Sequence, residues 1–164
     1  MNIMGFEEAY RYGLTIRLSE VPVFEVKVPT IPGMALMKIV SWKDSYPLRP
    51  KDAEDLLFLM NNYAAAGNED RLFDEETDLL SEEGFDLTLA GVRLLGRDMA
   101  AMANTATGEM IRAILDEESS EKERYRMVQH MAASSGSYQG WEEIQAKLEK
   151  LRQGFMERFQ KVNA

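Results

Sequence analysis

Apolar residues recur along the last segment of the chain at Trp141, Ile144, Leu148, Leu151, Phe155, Phe159 and Val162, with spacings of 3, 4, 3, 4, 4 and 3. That period draws one continuous apolar stripe along a helix. Glu142 and Glu143 fall in its first turn, and Arg158 and Lys161 near its end, as the helix dipole prefers. From Pro32 onward the rest of the chain also reads as helix. Pro32 suits a first helical turn, and residues 33–42 form a short apolar helix. A loop with two prolines spans 43–50. A helix over 51–66 closes at Gly67. The acidic stretch that follows holds a short helix around 75–80. Residues 87–103 are amphipathic, with Leu87, Ala90, Leu94, Met99 and Met102 as candidates for burial. Helices over 107–118 and 121–132 follow, and Ser134-Ser135-Gly136-Ser137 breaks the chain.

The first thirty residues have a different pattern. Residues 3–12 read as a short helix, with Met4, Phe6 and Tyr10 able to bury and Gly13 able to cap it. Residues 14–18 alternate apolar and polar, the period of a half-buried strand. After Pro22, Phe24, Val26 and Val28 face one way and Glu25 and Lys27 the other. These two strands predict a hairpin. Two strands alone are marginal in water, and no further strand appears downstream, so partner strands are expected upstream or on another chain. The predicted fold is mainly α with a small β-hairpin. Its segments are 1–67, 68–133, and a linker with a long terminal helix over 134–164. No internal repeat is visible.

Composition narrows the chemistry. The 164 residues contain no cysteine, which excludes disulfides, thiolate metal sites and thiol nucleophiles. One histidine, His130, excludes a multi-histidine metal cluster. No apolar run reaches the ~18 residues of a membrane span, and residues 1–10 carry Glu7 and Glu8 with no basic residue, unlike a signal peptide. A cytoplasmic location is the expectation. The net charge of −9 is unevenly spread: residues 1–50 sum to +1 and residues 51–164 to −10. Residues 68–86 carry nine acids against Arg71 alone. A negative body repels a polyphosphate, so extensive nucleic-acid binding is not expected.

Few residues stand out as chemistry. Lys38 lies in the apolar run Met34-Ala35-Leu36-Met37-Lys38-Ile39-Val40. It either snorkels along its own stem or directs an ammonium at a phosphate or carboxylate. Lys51, Asp52 and Asp55 open the next helix, Asp52 and Asp55 at i, i+3 and Lys51 and Asp55 at i, i+4. Acids in a first turn favour the dipole and satisfy free N–H groups; at this spacing they can also orient Lys38 or share a metal. Glu25, between Phe24 and Val26, reads as the wet face of a strand. His130, between Met127 and Met131, reads as a satisfied, partly buried histidine. Gly136-Ser137 is followed by no Asp-x-Asp and reads as linker.

An ordered set of short pieces carries a family resemblance. They are Gly5-Phe6-Glu7-Glu8-Ala9-Tyr10, Ile31-Pro32-Gly33-Met34-Ala35-Leu36-Met37-Lys38 and Lys51-Asp52-Ala53-Glu54-Asp55-Leu56. Arg71-Leu72-Phe73 and the run from Ala90 to Asp98 add a looser match. Together, over about 60% of the chain, they resemble the second half of nucleotidyltransferases of the abortive-infection toxin type, in the DNA polymerase beta superfamily. The resemblance implies an α+β remnant of a nucleotidyltransferase domain followed by a helical region. For the complete family enzyme it implies metal-dependent transfer of a nucleotide from a nucleoside triphosphate, with Mg²⁺ as cofactor and a cognate antitoxin as partner. It implies a nucleotide-positioning role for Lys38, Lys51, Asp52 and Asp55. The family's Gly-Ser turn and paired aspartates have no counterpart here, so no catalytic residue, metal ligand or cofactor is assigned to this chain.

Two readings follow. In one, the chain is the C-terminal portion of a nucleotidyltransferase-like protein, inactive without a missing N-terminal half. In the other, it is a non-enzymatic helical interaction module that uses the stripe on 141–162. Seven large apolar side chains, each worth roughly 1.5–3 kcal/mol on burial, need cover from this chain's own helices, a second copy or a missing partner. A homodimer is expected, with the terminal helix or the strand edge at the interface.

Overall fold

The computed structural model describes residues 3–120, 125–134 and 140–162, without the side chains of 134 and 160–162. The expected break at 135–137, the start of the helix expected over 121–132 and the Val162 side chain lie outside the described residues. Among these residues the elements run α1 Phe6–Arg11, β1 Leu14–Glu20, β2 Val23–Val28, α2 Ile31–Ser45, α3 Lys51–Asn62, α4 Glu69–Asp74, α5 Thr77–Glu82, α6 Leu87–Met102, α7 Thr105–Glu118, α8 Arg126–Ser134 and α9 Trp141–Val162. The fold is mainly α with a two-stranded hairpin, as the pattern predicts.

The helices begin where short polar side chains cap them. Thr30, Asp86 and Asn104 accept from the backbone N–H three residues on, opening α2, α6 and α7. The Thr30 cap starts α2 at Ile31, two residues before the expected position, and the helix runs on to Ser45, just short of Pro47. α3 stops at Asn62 instead of continuing to 66. There the chain turns, and the Asn68 amide donates to the Tyr63 carbonyl at 2.9 Å. The acidic stretch forms two short helices, α4 and α5, where one was expected.

α6 is the centre of the molecule, with α2, α3, α4, α5 and α9 packed around it. α9 runs beside it in the same direction, Ala146 near Leu89 at one end and Arg158 near Ala101 at the other. The apolar stripe of α9 is spent on this chain: Ile144, Leu148, Leu151, Phe155 and Phe159 are buried against α6, α7 and α8. Of the three covers open to the stripe, this chain's own helices supply it, so its apolar demand is met within one copy. Trp141 is the exception, half-exposed and edge-on to Tyr125. One hydrophobic core runs from Ala35 to Phe159 and draws on all three segments divided at 67 and 133.

The N-terminal helix needs one correction. α1 starts only at Phe6, after Gly5 at φ +85°, and it buries Glu8 and Ala9 while Phe6 and Tyr10 stay exposed. Glu8 accepts from the Asn104 backbone N–H, a bond that fixes which side of this short helix turns inward. The hairpin has the expected strands, and its register sets Leu14 opposite Val28 and Ile16 opposite Val26. Among the described residues nothing covers its apolar face. The strands touch the helices only marginally, and Leu14, Ile16, Phe24 and Val28 are exposed.

Candidate functional site

The four charged residues singled out by the sequence come together where α2 meets the first turn of α3. Lys38 projects from α2 between the two acids, its Nζ 2.9 Å from Asp52 Oδ1 and 2.6 Å from Asp55 Oδ2. Ser41, one turn further along α2, donates to Asp52 Oδ2 at 2.8 Å. The i, i+3 pair Lys38/Ser41 on one helix thus interlocks with the i, i+3 pair Asp52/Asp55 on the other. The far side of α2 is apolar and buried through Leu36, Ile39 and Val40, so packing fixes the rotation that aims Lys38 at α3. Arg49 approaches Asp52 Oδ2 at 3.5 Å, and Lys51 approaches Asp55 Oδ1 at 3.3 Å.

Asp52 is only 2% exposed, and Lys38 about a third. Partial burial works against the Lys38 ammonium, yet the hydrogen bonds and attraction of Asp55 and Asp52 outweigh it and hold its pKa above the ordinary lysine value. Burial likewise disfavours the Asp55 carboxylate, and Lys38 and Lys51 overcome it, holding its pKa below the ordinary aspartate value. The site is a charged tie between two helices.

All four carboxylate oxygens of Asp52 and Asp55 already face a donor. The pair therefore does not fit a divalent cation, which needs free carboxylate oxygens around it. Among the described residues no group of three or more His, Asp or Glu is arranged to hold a metal ion. The groups that remain open to a ligand at this corner are the side chains of Arg49 and Lys51, 61% and 76% exposed.

Glu25 lies on the exposed side of the hairpin, paired with Arg17 at 2.9 Å. His130 accepts from the Trp42 indole N–H at 3.0 Å through Nδ1 and stacks on Tyr46.

A second polar cluster was missed as a site by sequence reasoning, although Arg71 and Asp98 stand in the looser part of the resemblance. Arg71 grips Asp98 with two bonds, at 2.8 and 3.0 Å, and the Tyr63 hydroxyl donates to the same carboxylate at 2.5 Å. Burial and the neighbouring Asp98 charge push the Tyr63 hydroxyl well above the ordinary tyrosine range. Beside the pair lies a cavity of about 190 Å³ walled by Glu76, Arg97, Glu157 and Arg158. Arg97 bonds Glu76 at 2.6 Å and Glu157 at 2.9 Å, and Arg93 also bonds Glu157. Burial disfavours the Glu157 carboxylate, but the two guanidiniums outweigh it and lower its pKa. Lining acids and bases balance, so the cavity has no pronounced preference for a cation or an anion. Sequence spacing carries no trace of it, because its ion pairs Arg97–Glu76 and Arg97–Glu157 join residues 21 and 60 positions apart.

No protein-family model, curated protein or solved structure matches the chain. No described helix is long and apolar enough to cross a membrane.

Proposed function

We propose that this chain is the helical C-terminal portion of a nucleotidyltransferase-like protein, without transfer activity of its own. The observation that carries this reading is the convergence of Lys38, Lys51, Asp52 and Asp55, residues from two segments singled out by the family resemblance. Lys38, Asp52 and Asp55 act as a structural tie that locks the start of α3 onto α2. The tie holds Arg49 and Lys51 at the solvent side of that corner, where two cations can meet a triphosphate. Nucleotide transfer needs further acids from outside this sequence.

The test is a titration of the chain with ATP, read by backbone amide NMR shifts, beside a transfer assay with labelled triphosphate and Mg²⁺. The expected result is weak saturable binding at Arg49 and Lys51, lost in Arg49→Ala/Lys51→Ala, with no transfer to protein or RNA. Turnover by the pure chain that disappears in Lys38→Ala would overturn the inactive part of this reading. A flat titration at Arg49 and Lys51 would overturn the positioning part.

A second reading, a non-enzymatic interaction module, draws support from the exposed apolar hairpin. It predicts no ATP response at the α2–α3 corner and association through residues 14–28.

A further inference from the structure

The hairpin has an outer edge on each strand, and no third strand pairs with it among the described residues. One face carries Leu14, Ile16, Phe24, Val26 and Val28; the other carries Thr15, Arg17, Glu25 and Lys27. Open strand edges of this kind are templates for another strand. The two edges are not equivalent. β1 carries Leu18 as an extra residue between Arg17 and Ser19, a bulge that interrupts its ladder. No such irregularity marks β2 from Val23 to Val28.

The sequence of β2 restricts what pairs with it. When two copies of one strand pair antiparallel about a two-fold axis, the central residue meets itself and every other pairing is fixed. Centring on Glu25 sets two carboxylates against each other, and centring on Lys27 sets two ammoniums. Centring on Phe24 or Val28 leaves the charges unmatched. Centring on Val26 sets Glu25 of one copy opposite Lys27 of the other, twice, with Val26 against Val26 and Phe24 against Val28. Opposite charges across a strand pair stabilise, and like charges destabilise.

We propose that two copies of this chain associate through their β2 edges in the register centred on Val26, forming a four-stranded antiparallel sheet. Lys27 is anchored for this role: its ammonium donates to the Tyr10 carbonyl at 2.8 Å and lies over the Tyr10 ring. An ammonium has three donors, so that bond leaves capacity for a carboxylate opposite. Glu25, paired with Arg17 in its own copy, then sits between two cations. The pairing also brings Phe24 of each copy beside Val28 of the other, covering part of the exposed apolar face. The inference stands under either functional reading, because it uses none of the α2–α3 corner.

Sedimentation velocity on the full chain over a micromolar concentration series tests it, with circular dichroism confirming that each variant is folded. The native chain shifts from monomer to dimer. Lys27→Glu alone and Glu25→Lys alone each weaken association about tenfold or more, since two attractive pairs become two repulsive ones. An equimolar mixture of the two variants regains it, because every pair is then opposite in sign. A native chain that stays monomeric overturns the proposal and points to a strand from a different protein. Undiminished dimers in both variants overturn it by placing the interface elsewhere. A mixture that remains monomeric overturns the register.

Discussion

Gly96 and Gly154 meet at the line where α6 and α9 touch. A Cβ on Gly96 would sit 3.1 Å from the Gly154 carbonyl carbon and 2.7 Å from the Phe155 nitrogen, while one on Gly154 would strike the Arg93 carbonyl. Two helix backbones pack directly on each other, and the obstructing atoms are backbone, which cannot swing aside. The largest contact between described helices therefore depends on two positions that lack a Cβ.

Gly154→Ala is expected to destabilise the protein by about 3 kcal/mol, at the upper end of the cost of overpacking a core. The better helix propensity of alanine returns only about 1 kcal/mol. Gly96→Ala has a similar cost, and the double variant costs less than the sum, since one widening of the interface serves both. Urea unfolding of the three variants measures this. Wild-type stability in Gly154→Ala would show that α6 and α9 do not lie this close.

Removal of Lys38 leaves the buried Asp52 carboxylate with only Ser41 and Arg49. Lys38→Met is expected to lower stability by about 2–3 kcal/mol, somewhat below the cost of breaking a fully buried ion pair. Lys38→Met/Asp52→Asn should recover part of that loss. A double-mutant cycle in denaturant gives the coupling; a value near zero would mean the tie is not formed in solution.

Asp98→Asn removes the charge that both Arg71 and Tyr63 address. The expected loss is about 1.5–3 kcal/mol, the range for hydrogen bonds to a charged group. In Arg71→Leu, a further Asp98→Asn change should cost much less. Equal losses in both backgrounds would show the two residues to be uncoupled.

Acid should be the weak side of the stability profile. Asp55, Glu117 and Glu157 all hold folded-state pKa values below their ordinary ones; for Glu117 the chief cause is the hydrogen bond from Lys43. Such groups bind protons less readily folded than unfolded. Their stabilisation is complete above the ordinary values of 3.8 for Asp and 4.5 for Glu and is lost as pH falls through the depressed folded values. Lys38, raised above 10.5, acts oppositely: its contribution is full below that value and lost as pH climbs through the folded one. The urea midpoint should be nearly level between about pH 6 and 9 and fall below about 4.5. Glu157→Gln should lower the midpoint at neutral pH and flatten the acid flank. An acid flank of unchanged slope in that variant would remove Glu157 from the account.

Much of this architecture is legible along the chain. The α9 stripe, the hairpin and the burial of Ala90, Leu94, Met99 and Met102 on α6 follow from local periodicity, since a helix or strand that must bury one face advertises that face at a fixed spacing. The corner of Lys38, Asp52 and Asp55 was legible as a set of candidates for the same reason, the two helices being adjacent in sequence. Helix ends were read less well: α2 is longer and α3 shorter than the pattern implies, because a Thr30 cap and an Asn68 side chain decide them.

Tertiary structure alone decided what those faces meet. The stripe on α9 left open whether this chain, a second copy or a partner covers it, and it became core because α6 offers a backbone groove lined by Gly96. The acidic run over 68–86 looked like a repulsive surface, yet Arg93, Arg97 and Lys150 reach Glu76, Glu82 and Glu83 from elsewhere in the chain. The hairpin showed the alternation of a half-buried strand, but no described helix covers it. Periodicity records that a face is apolar or charged; which surface approaches it depends on contacts between residues far apart in sequence, and no local spacing encodes those.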